Sequence, residues 1–343
     1  MNHQYLIKSN ALAGYTHLVR VLGGNPEELV NACNLSKSDL QTQDNFIPFS
    51  SMVELLEHSA EKLNTPDFGL QLGQSQGIEA LGNLGLLIGN CNNVREALKT
   101  AQHYMAVHSQ AEYWRFKEMG QLACIERFSV MPPLSHVRQI KELSFATGFT
   151  LLKTLINQAV KLDRVEFAHA PISELSVYKK HFGCEVLFNQ EYDRILLPLH
   201  YLDSAIWKIT LEDNKQLESQ LANQLAENDH DIERQITIII LQIIGSQEIS
   251  IDVIADILKT HKRTLQRRLK AKGLSFSTIL KEIRVNTACW HLEASTIDIT
   301  LLGEILGYSD VSAFSRAFKK ETLLSPLQWR KEKRENFADN NLK

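Results

Sequence analysis

The chain has 343 residues, which is more than one hydrophobic core usually organises, so two domains are expected. Its 44% hydrophobic and 22% charged residues, with only 16 glycines and 8 prolines, exclude a disordered or fibrous chain. The formal net charge of −3 gives no sign of a nucleic-acid partner, and five scattered cysteines exclude a disulfide framework.

Signals for targeting, metal binding and catalysis are lacking. The first residues do not form a signal peptide, and the longest apolar run, 236–244, is too short to cross a membrane. No Cys/His spacing suits zinc, and no Ser/His/Asp order or carboxylate pair stands out. We therefore expect a cytoplasmic protein that is not an enzyme and has no cofactor, metal or membrane partner.

Charge is distributed unevenly along the chain. Residues 246–334 contain 16 basic and 10 acidic side chains, whereas the remainder contains 21 basic and 30 acidic side chains. A local charge of +6 beside one of −9 suggests a polyanion partner for the basic end, although a solvated basic surface is equally compatible with charge alone.

The part before the basic segment mixes helical and strand patterns. In chain order, the patterns predict a helix opened by Pro48, a helix capped by Asn93, a hairpin turning at Gly120, a helix over 135–155, and short strands at 164–169 and 185–188 around a helix at 172–182. An acidic stretch at 210–231, with leucines 217, 221 and 225 at every fourth position, predicts a helix that contains the domain boundary. Residues 1–228 are therefore expected to form an α+β domain.

The part after the boundary has helical periodicity throughout. It predicts seven helices, near 232–243, 250–258, 262–272, 275–294, 301–306, 311–321 and 326–334. Residues 229–343 are therefore expected to form an all-α domain, and the whole chain a multidomain protein.

Two of these helix pairs repeat one motif about 48 residues apart. A short helix with a small residue, Ala255 or Gly303, is followed by a tight turn and a second helix. A small residue allows two helices to cross closely, as a helix-turn-helix requires. The repeat predicts helix-turn-helix motifs at about 250–272 and 299–321.

The second helix of each motif has an apolar face and a polar stripe. The stripe of the first copy contains Arg263, Gln266, Arg267 and Lys270, preceded by Lys262, and that of the second contains Ser312, Ser315, Arg316 and Lys319. Arginine and glutamine form bidentate hydrogen bonds with guanine and adenine in the major groove, and lysine suits phosphates. A single stripe of this kind usually just faces solvent, but two matched copies in a basic segment favour DNA recognition.

This part of the chain resembles the AraC/XylS family of bacterial transcription regulators. The resemblance covers roughly 231–334 and is carried by Tyr308-Ser-Asp310, by 312–320, by Ser325-Pro326 with Trp329-Arg330, and by the first recognition helix at 263–269. It implies two helix-turn-helix subdomains bridged by the long helix at 276–294, with both recognition helices in successive major-groove faces of promoter DNA. It also implies an activator that works with RNA polymerase.

The first part resembles the arabinose-binding-like regulatory domain found in AraC-type proteins. The matching stretches are 81–85 with 96–98, and 169–171 with 182–188. The resemblance implies sensing of a small-molecule effector, and dimerisation, without naming a ligand or its contacts. The alternative is a ligand-independent regulator whose first domain only dimerises or binds another protein.

Two positions depart from the family pattern. Lys259 stands in the first turn, and Leu323 stands before the Ser-Pro pair, where the family usually has glycine. A residue other than glycine at positive φ costs about 1 kcal/mol, so the turn geometry is expected to differ there. Lys259 or His261 could instead contact phosphate.

Other features favour ordinary structural roles. The cluster of glycines at 69–89 lacks a Gly-Lys-Ser/Thr ending, and close helix packing explains it better than a phosphate loop. Tyr104, Trp114 and Phe116 are expected in the core more than in an effector pocket, and Cys184 as a buried thiol. A protein-interaction adaptor would place apolar residues on the outward stripes, which are polar here.

Overall fold

The computed structural model describes residues 5–41, 45–129, 137–157, 159–207, 217, 220–221, 232–244, 249–258, 260–294 and 298–332. The chain divides into two compact units, Met1–Leu221 and Ala222–Lys343. The predicted boundary near Asn228 and the third leucine of the acidic stretch, Leu225, lie outside the described residues.

The first unit is an α+β domain, as the sequence predicts. Its described helices are Tyr15–Val21, Pro26–Ala32, Lys37–Gln41, Phe49–Lys62, Phe68–Ser75, Asn83–Gly89, Val94–His108, Arg138–Ile156 and Leu175–Phe182, with short 3-10 helices at Ser9–Leu12, Ile78–Leu81 and Leu199–Asp203. The predicted cap is present: the Asn93 side chain accepts a hydrogen bond of 2.9 Å from the backbone N–H of Glu96.

The described residues of this unit include seven strands, which form two sheets. They are β1 (Leu6–Lys8), β2 (Phe46–Pro48), β3 (Glu112–Met119), β4 (Leu122–Ser129), β5 (Arg164–Glu166), β6 (Glu185–Leu187) and β7 (Asp193–Pro198). β1 and β2 pair alone, and the others form one sheet in the order β3-β4-β7-β5-β6, in which only β5 and β6 are parallel. The hairpin is confirmed, since Met119 pairs with Leu122 across Gly120, whose φ is +62°.

Several element boundaries differ from prediction, and three of them in this unit concern Pro48, the first strand after the long helix, and the last helix. Pro48 ends β2, paired with Leu6 of β1, and the helix begins at Phe49. The first strand after the long helix stops at Glu166, because the backbone N–H of Ala168 turns to the Asp193 carboxylate at 2.8 Å.

The last helix of the unit begins at Leu175 instead of 172. The backbone N–H groups of Ile172 and Ser173 donate to the Tyr178 hydroxyl at 3.2 and 3.1 Å, which holds them in a turn ahead of the helix. A hydrogen bond to a side chain six residues away has no periodic signal in the sequence.

Two apolar clusters form the core of this unit. One lies among the first helices around Tyr15, Phe49 and Phe68, and the other lies between the sheet and Arg138–Ile156 around Phe145. The long helix contributes to both clusters and so joins the helical part to the sheet.

Close helix packing explains part of the glycine cluster. A Cβ atom at Gly73 would lie 2.6 Å from the Leu143 carbonyl oxygen, and one at Gly69 or Gly85 would also collide with backbone. The absence of a side chain lets Phe68–Ser75 lie directly against the long helix.

The described elements of the second unit are all helical. They are Ile232–Ile243, Ile251–Ile257, Lys262–Ala271, Phe276–Ala294, Ile299–Ile305 and Val311–Thr322, followed by helical residues 326–332. The predicted all-α domain is therefore confirmed, and its first helix buries Ile236 and Ile240 completely.

Glu142 of the long helix is a buried acid whose ionisation affects stability. It is fully buried and accepts a 2.7 Å hydrogen bond from the Tyr178 hydroxyl. Burial raises its pKa from about 4.5 to about 8. Because the folded-state pKa lies above the unfolded value, this carboxyl contributes stability that is present below about pH 4.5 and is lost as the pH rises through 8.

We predict that Glu142→Gln makes the free energy of unfolding less dependent on pH. The amide does not ionise and its oxygen accepts the Tyr178 hydrogen bond, so the variant gains stability relative to the wild type as the pH rises from 6 to 9. Urea unfolding of both proteins at these pH values measures the difference. An equal loss of stability in both proteins would show that the pKa of Glu142 in the folded protein is not raised above 6.

Candidate nucleic-acid interface

The first helix-turn-helix consists of Ile251–Ile257 and Lys262–Ala271. Ser250 caps the first of these helices through a 3.3 Å hydrogen bond from the backbone N–H of Val253. Ala255 is 2% exposed, as expected for a small residue in a tight motif, and the second helix ends before Gly273, at φ +71°. Lys259 lies outside the described residues.

The polar stripe of the first recognition helix, Lys262–Ala271, faces solvent. Leu265 and Leu269 are buried, at 0% and 1% exposure, which turns the opposite face outward. That face carries the exposed side chains of Arg263, Gln266, Arg267 and Lys270, none of which has a hydrogen bond or ion pair within the described ranges. Five of the ten residues of this helix are basic and none is acidic, so their charge is not neutralised from within the helix.

Lys262 differs from the other stripe residues. Its Nζ lies 2.7 Å from the Asp252 carboxylate on the preceding helix, and both side chains are about half exposed. The pair links the two helices of the motif at the surface. Such a pair contributes little stability, about 0 to 1 kcal/mol, and Lys262 can exchange it for another anion.

The second helix-turn-helix consists of Ile299–Ile305 and Val311–Thr322, the second recognition helix. Asp298 and Asp310 cap the two helices, and hydrogen bonds from backbone N–H groups hold the pKa of both carboxyls below the usual value. A Cβ atom at Gly303 would lie 3.2 Å from the Phe314 Cβ, so this glycine marks the close crossing predicted from the sequence.

The second recognition helix exposes a weaker positive face. Phe314 and Phe318 are buried at 1% and 0% exposure. On the other side Ser312, Arg316 and Lys319 are exposed and Ser315 is half-buried. This helix has three basic residues and one acidic residue, so its charge is lower than that of the first recognition helix.

The long helix Phe276–Ala294 positions the second motif through two basic residues that were not predicted from the sequence. The Arg284 guanidinium donates to the Gly307 carbonyl oxygen at 2.9 Å and lies 4.8 Å from the centre of the Tyr308 ring. Lys281 lies 3.1 Å from the Glu321 carboxylate. Two sequence features could have predicted the Arg284 contacts: a basic residue on the inner side of a long helix, and an aromatic residue directly after the turn glycine.

Leu323 adopts the conformation that the family reserves for glycine. Its φ is +66°, its backbone N–H donates to the Lys319 carbonyl oxygen at 2.9 Å, and its side chain is 82% exposed. The second recognition helix therefore ends in a left-handed cap despite the leucine.

The remaining sequence candidates lie in the first unit. Trp114 and Phe116 are half-buried against the apolar core and also line a cavity of about 170 Å³, while Tyr104 packs against the same core. Cys184 is half-buried and not buried as predicted, and its partial burial raises the pKa of the thiol to about 11, so the thiol is protonated at neutral pH. Over the described ranges, no helix is both long and apolar enough to span a membrane.

Two helix-turn-helix motifs that present basic polar stripes define a DNA-binding protein. Comparison with known families agrees: residues 23–206 match the arabinose-binding domain of AraC transcription regulators, and residues 254–332 match a helix-turn-helix domain. The first match alone covers more than half of the chain. The chain therefore belongs to the AraC family of helix-turn-helix transcriptional regulators, and it is a DNA-binding regulator and not an enzyme.

Curated relatives match along nearly the whole length. The HTH-type transcriptional regulator VirS of Mycobacterium tuberculosis is 28% identical over 335 residues, covering 95% of this chain and 96% of VirS. The ornithine utilization regulator of Pseudomonas aeruginosa is 24% identical over 315 residues, covering 91% and 93% of the two chains. The crystal structure of the transcriptional regulator CdpR from P. aeruginosa aligns over 96% of this chain and all of CdpR, with 18% identity and a TM-score of 0.47.

We predict that Leu323→Gly stabilises the second unit by about 1 kcal/mol, because glycine adopts positive φ without the steric cost that leucine has there. Little packing is lost, since the leucine side chain is mostly exposed. Urea unfolding monitored by helical circular dichroism measures the change. The matched control is Leu327→Gly, at an exposed position inside helical residues 326–332, which should destabilise by about 1 kcal/mol. Equal effects at both positions would contradict the prediction.

Proposed function

We propose that the stripe of the first recognition helix reads base pairs in the major groove of promoter DNA. Arg263, Gln266 and Arg267 are the side chains assigned to base edges. The observation that carries this proposal is their exposure without any partner in the described part of the chain, on a helix whose other face is buried. Guanidinium and amide groups that are not already paired are available for bidentate contacts with guanine and adenine.

The second recognition helix reads the next groove face with fewer charges. Ser312, Ser315 and Arg316 are assigned to bases, and Lys319 to phosphate. Lys270 and Lys262 bind phosphates beside the first groove, Lys262 by giving up its pair with Asp252. The first recognition helix carries more positive charge than the second. This difference supports the proposal that the first motif supplies most of the affinity for DNA.

The first unit regulates DNA binding. We propose that it senses a small-molecule effector and that the protein is a homodimer in the cytoplasm that activates transcription with RNA polymerase. The resemblance to effector-controlled regulators supports this. The alternative is a ligand-independent regulator whose first unit only dimerises or binds another protein. Leu217 and Leu221 are already buried, at 2% and 0% exposure, so a coiled coil along that leucine stripe is not the dimer we propose.

Two substitutions separate base reading from phosphate binding. Arg267→Ala is expected to weaken binding to the preferred site by about 1–3 kcal/mol and to relax the preference at one base pair. Lys270→Ala is expected to weaken binding to all sequences and to lower the salt slope of the affinity by about 1. The site is first selected from random duplex DNA, and fluorescence anisotropy is then measured at several salt concentrations.

Lys180→Ala is the charge control for that titration. It removes the same charge from an exposed position in the first unit and should leave affinity and salt slope unchanged. Unaltered affinity and base preference in Arg267→Ala would exclude the first stripe from the interface.

We also predict that the purified chain has twice its 39.0 kDa mass in light scattering. A mass equal to that of a single chain would rule out the proposed homodimer.

We further predict that the protein increases transcription by purified RNA polymerase from a promoter that carries the selected site. A decrease in transcript would identify a repressor instead.

A further inference from the structure

The first unit contains a cavity of about 170 Å³ between the sheet and two helices. Most of its walls come from Val94–His108, from Arg138–Ile156, and from β3 and β4, and residues of neighbouring elements of the same unit, such as Met52 and Gln76, complete the lining. Native cores seldom leave spaces larger than a water molecule. An engineered cavity of about 150 Å³ in another protein, lined by apolar side chains, binds benzene, so this space is large enough for a small organic molecule.

Small residues keep the space open. Val94–His108 turns Ala97 and Ala101 toward it, and Arg138–Ile156 turns Ser144 and Gly148 toward it. Each pair is spaced by four residues, which places both members on one helix face. Larger apolar residues at the same four positions would fill the cavity without interrupting either helix.

Gly148 is the most informative of these residues. A Cβ atom there would have no atom within 4 Å beyond its neighbours and its own helix backbone. Glycine inside a helix lowers stability relative to alanine, so packing gives no reason for its presence. Gly73 shows the contrast, since a Cβ there would collide with the Leu143 carbonyl.

The lining has no unpaired formal charge in the residues that the structure describes. The two ionised lining residues lie on β3: Arg115 donates from Nε to the Glu126 carboxylate at 2.8 Å, and Glu112 is paired with Arg127. An ionised ligand would therefore lose its hydration without gaining an unpaired counter-ion from the lining, which is unfavourable.

The polar lining groups are mostly used by the protein itself. Gln76 donates to the Ala11 carbonyl oxygen at 2.8 Å and accepts from the Thr147 hydroxyl at 2.6 Å, and the Ser144 hydroxyl donates to a backbone carbonyl. A sugar with several hydroxyl groups would leave most of them without partners in this cavity.

His108 is the exception. It lines the cavity, is 8% exposed, and its Nδ1 has no hydrogen-bond partner in the described part of the chain. Burial lowers its pKa to about 4, so the ring is neutral at physiological pH. A neutral imidazole nitrogen can donate to or accept from a hydroxyl group, depending on the tautomer.

We propose that this cavity binds the effector, and that the effector is a compact, uncharged, mainly apolar molecule about the size of a substituted benzene, with one hydroxyl-type group on His108. This inference deepens the proposed effector control and rests on it. It excludes polyhydroxylated sugars and carboxylates as ligands of this cavity, although the matching family domain is named for arabinose binding.

The test uses the full chain and four probes: toluene, benzyl alcohol, benzoate and L-arabinose. Toluene and benzyl alcohol are expected to raise the midpoint of thermal unfolding and to give saturable heats in calorimetry, because a ligand that binds only the folded state stabilises it. Benzyl alcohol should bind more tightly than toluene. Benzoate and arabinose should have no effect, and stabilisation by either of them instead would overturn the proposed ligand class.

Gly148→Leu is the variant that fills the cavity. It should weaken binding of both apolar probes by about tenfold or more, since the new side chain occupies their space. Thr154→Leu, at an exposed position of the same helix, is the matched control and should bind them normally. Ala101→Leu fills the cavity from the opposite wall if the first variant folds poorly. Unchanged binding in the folded filled variants would place the probes elsewhere and overturn the proposal.

His108→Leu tests the polar contact. It should remove the advantage of benzyl alcohol over toluene while toluene still binds. An advantage that persists in this variant would overturn the assigned role of His108.

The effector role has its own measurement. Saturating benzyl alcohol should change the affinity of the wild type for its selected DNA site and leave the affinity of Gly148→Leu unchanged. An unchanged affinity in the wild type would overturn the effector role.

The ligand-binding and DNA-binding proposals are tested independently. Probe binding is measured without DNA, so its failure leaves the DNA-binding proposal intact. Conversely, a failure of the Arg267→Ala prediction leaves the ligand site intact.

Discussion

The burial of two apolar side chains in each recognition helix determines which side chains face outward. Leu265 and Leu269 in the first helix, and Phe314 with Phe318 in the second, lie one turn apart and are almost completely buried. Because an α-helix has 3.6 residues per turn, burial of these two positions places the polar residues of the stripe on the opposite, exposed face. The positions of the arginines thus follow from hydrophobic burial, and the charges themselves need no partner to hold them there.

Glycine at the helix crossing and arginine on the long helix complete this arrangement in the second motif. Gly303 allows Phe314 to approach closely, and Arg284 holds the turn through the Gly307 carbonyl and the Tyr308 ring. The turn glycine has φ +73°, a conformation that glycine adopts without steric cost. A basic residue that could have been taken for a DNA contact is therefore a positioning residue.

Periodicity in the sequence predicted the helices and the alternating hairpin because those patterns are local. The helix that begins at Leu175 was predicted three residues too early, because a hydroxyl from Tyr178 holds the preceding turn and propensity carries no trace of it. The cavity was also beyond sequence reasoning. The cavity depends on small residues from two helices that are far apart in the chain. Gly73 and Gly148 cannot be distinguished from the sequence, although Gly73 is in tight contact with another helix and Gly148 faces open space. The stripe residues were predicted because both helices repeat one local pattern.

The paired charges on β3 and β4 have a consequence for ligand specificity. Arg115 faces Glu126 directly across the two strands and shares it with Lys117, and Arg127 reaches Glu112, so the two charged residues that line the cavity each have a partner of opposite sign. Loss of Glu126 would leave Arg115 as a buried charge, which is far less favourable than the intact pair. The same pairs that stabilise the sheet therefore also leave the cavity without an unpaired lining charge. In the effector site that we propose, discrimination against ionised ligands follows from these pairs, and discrimination among neutral ligands follows from the small residues and His108.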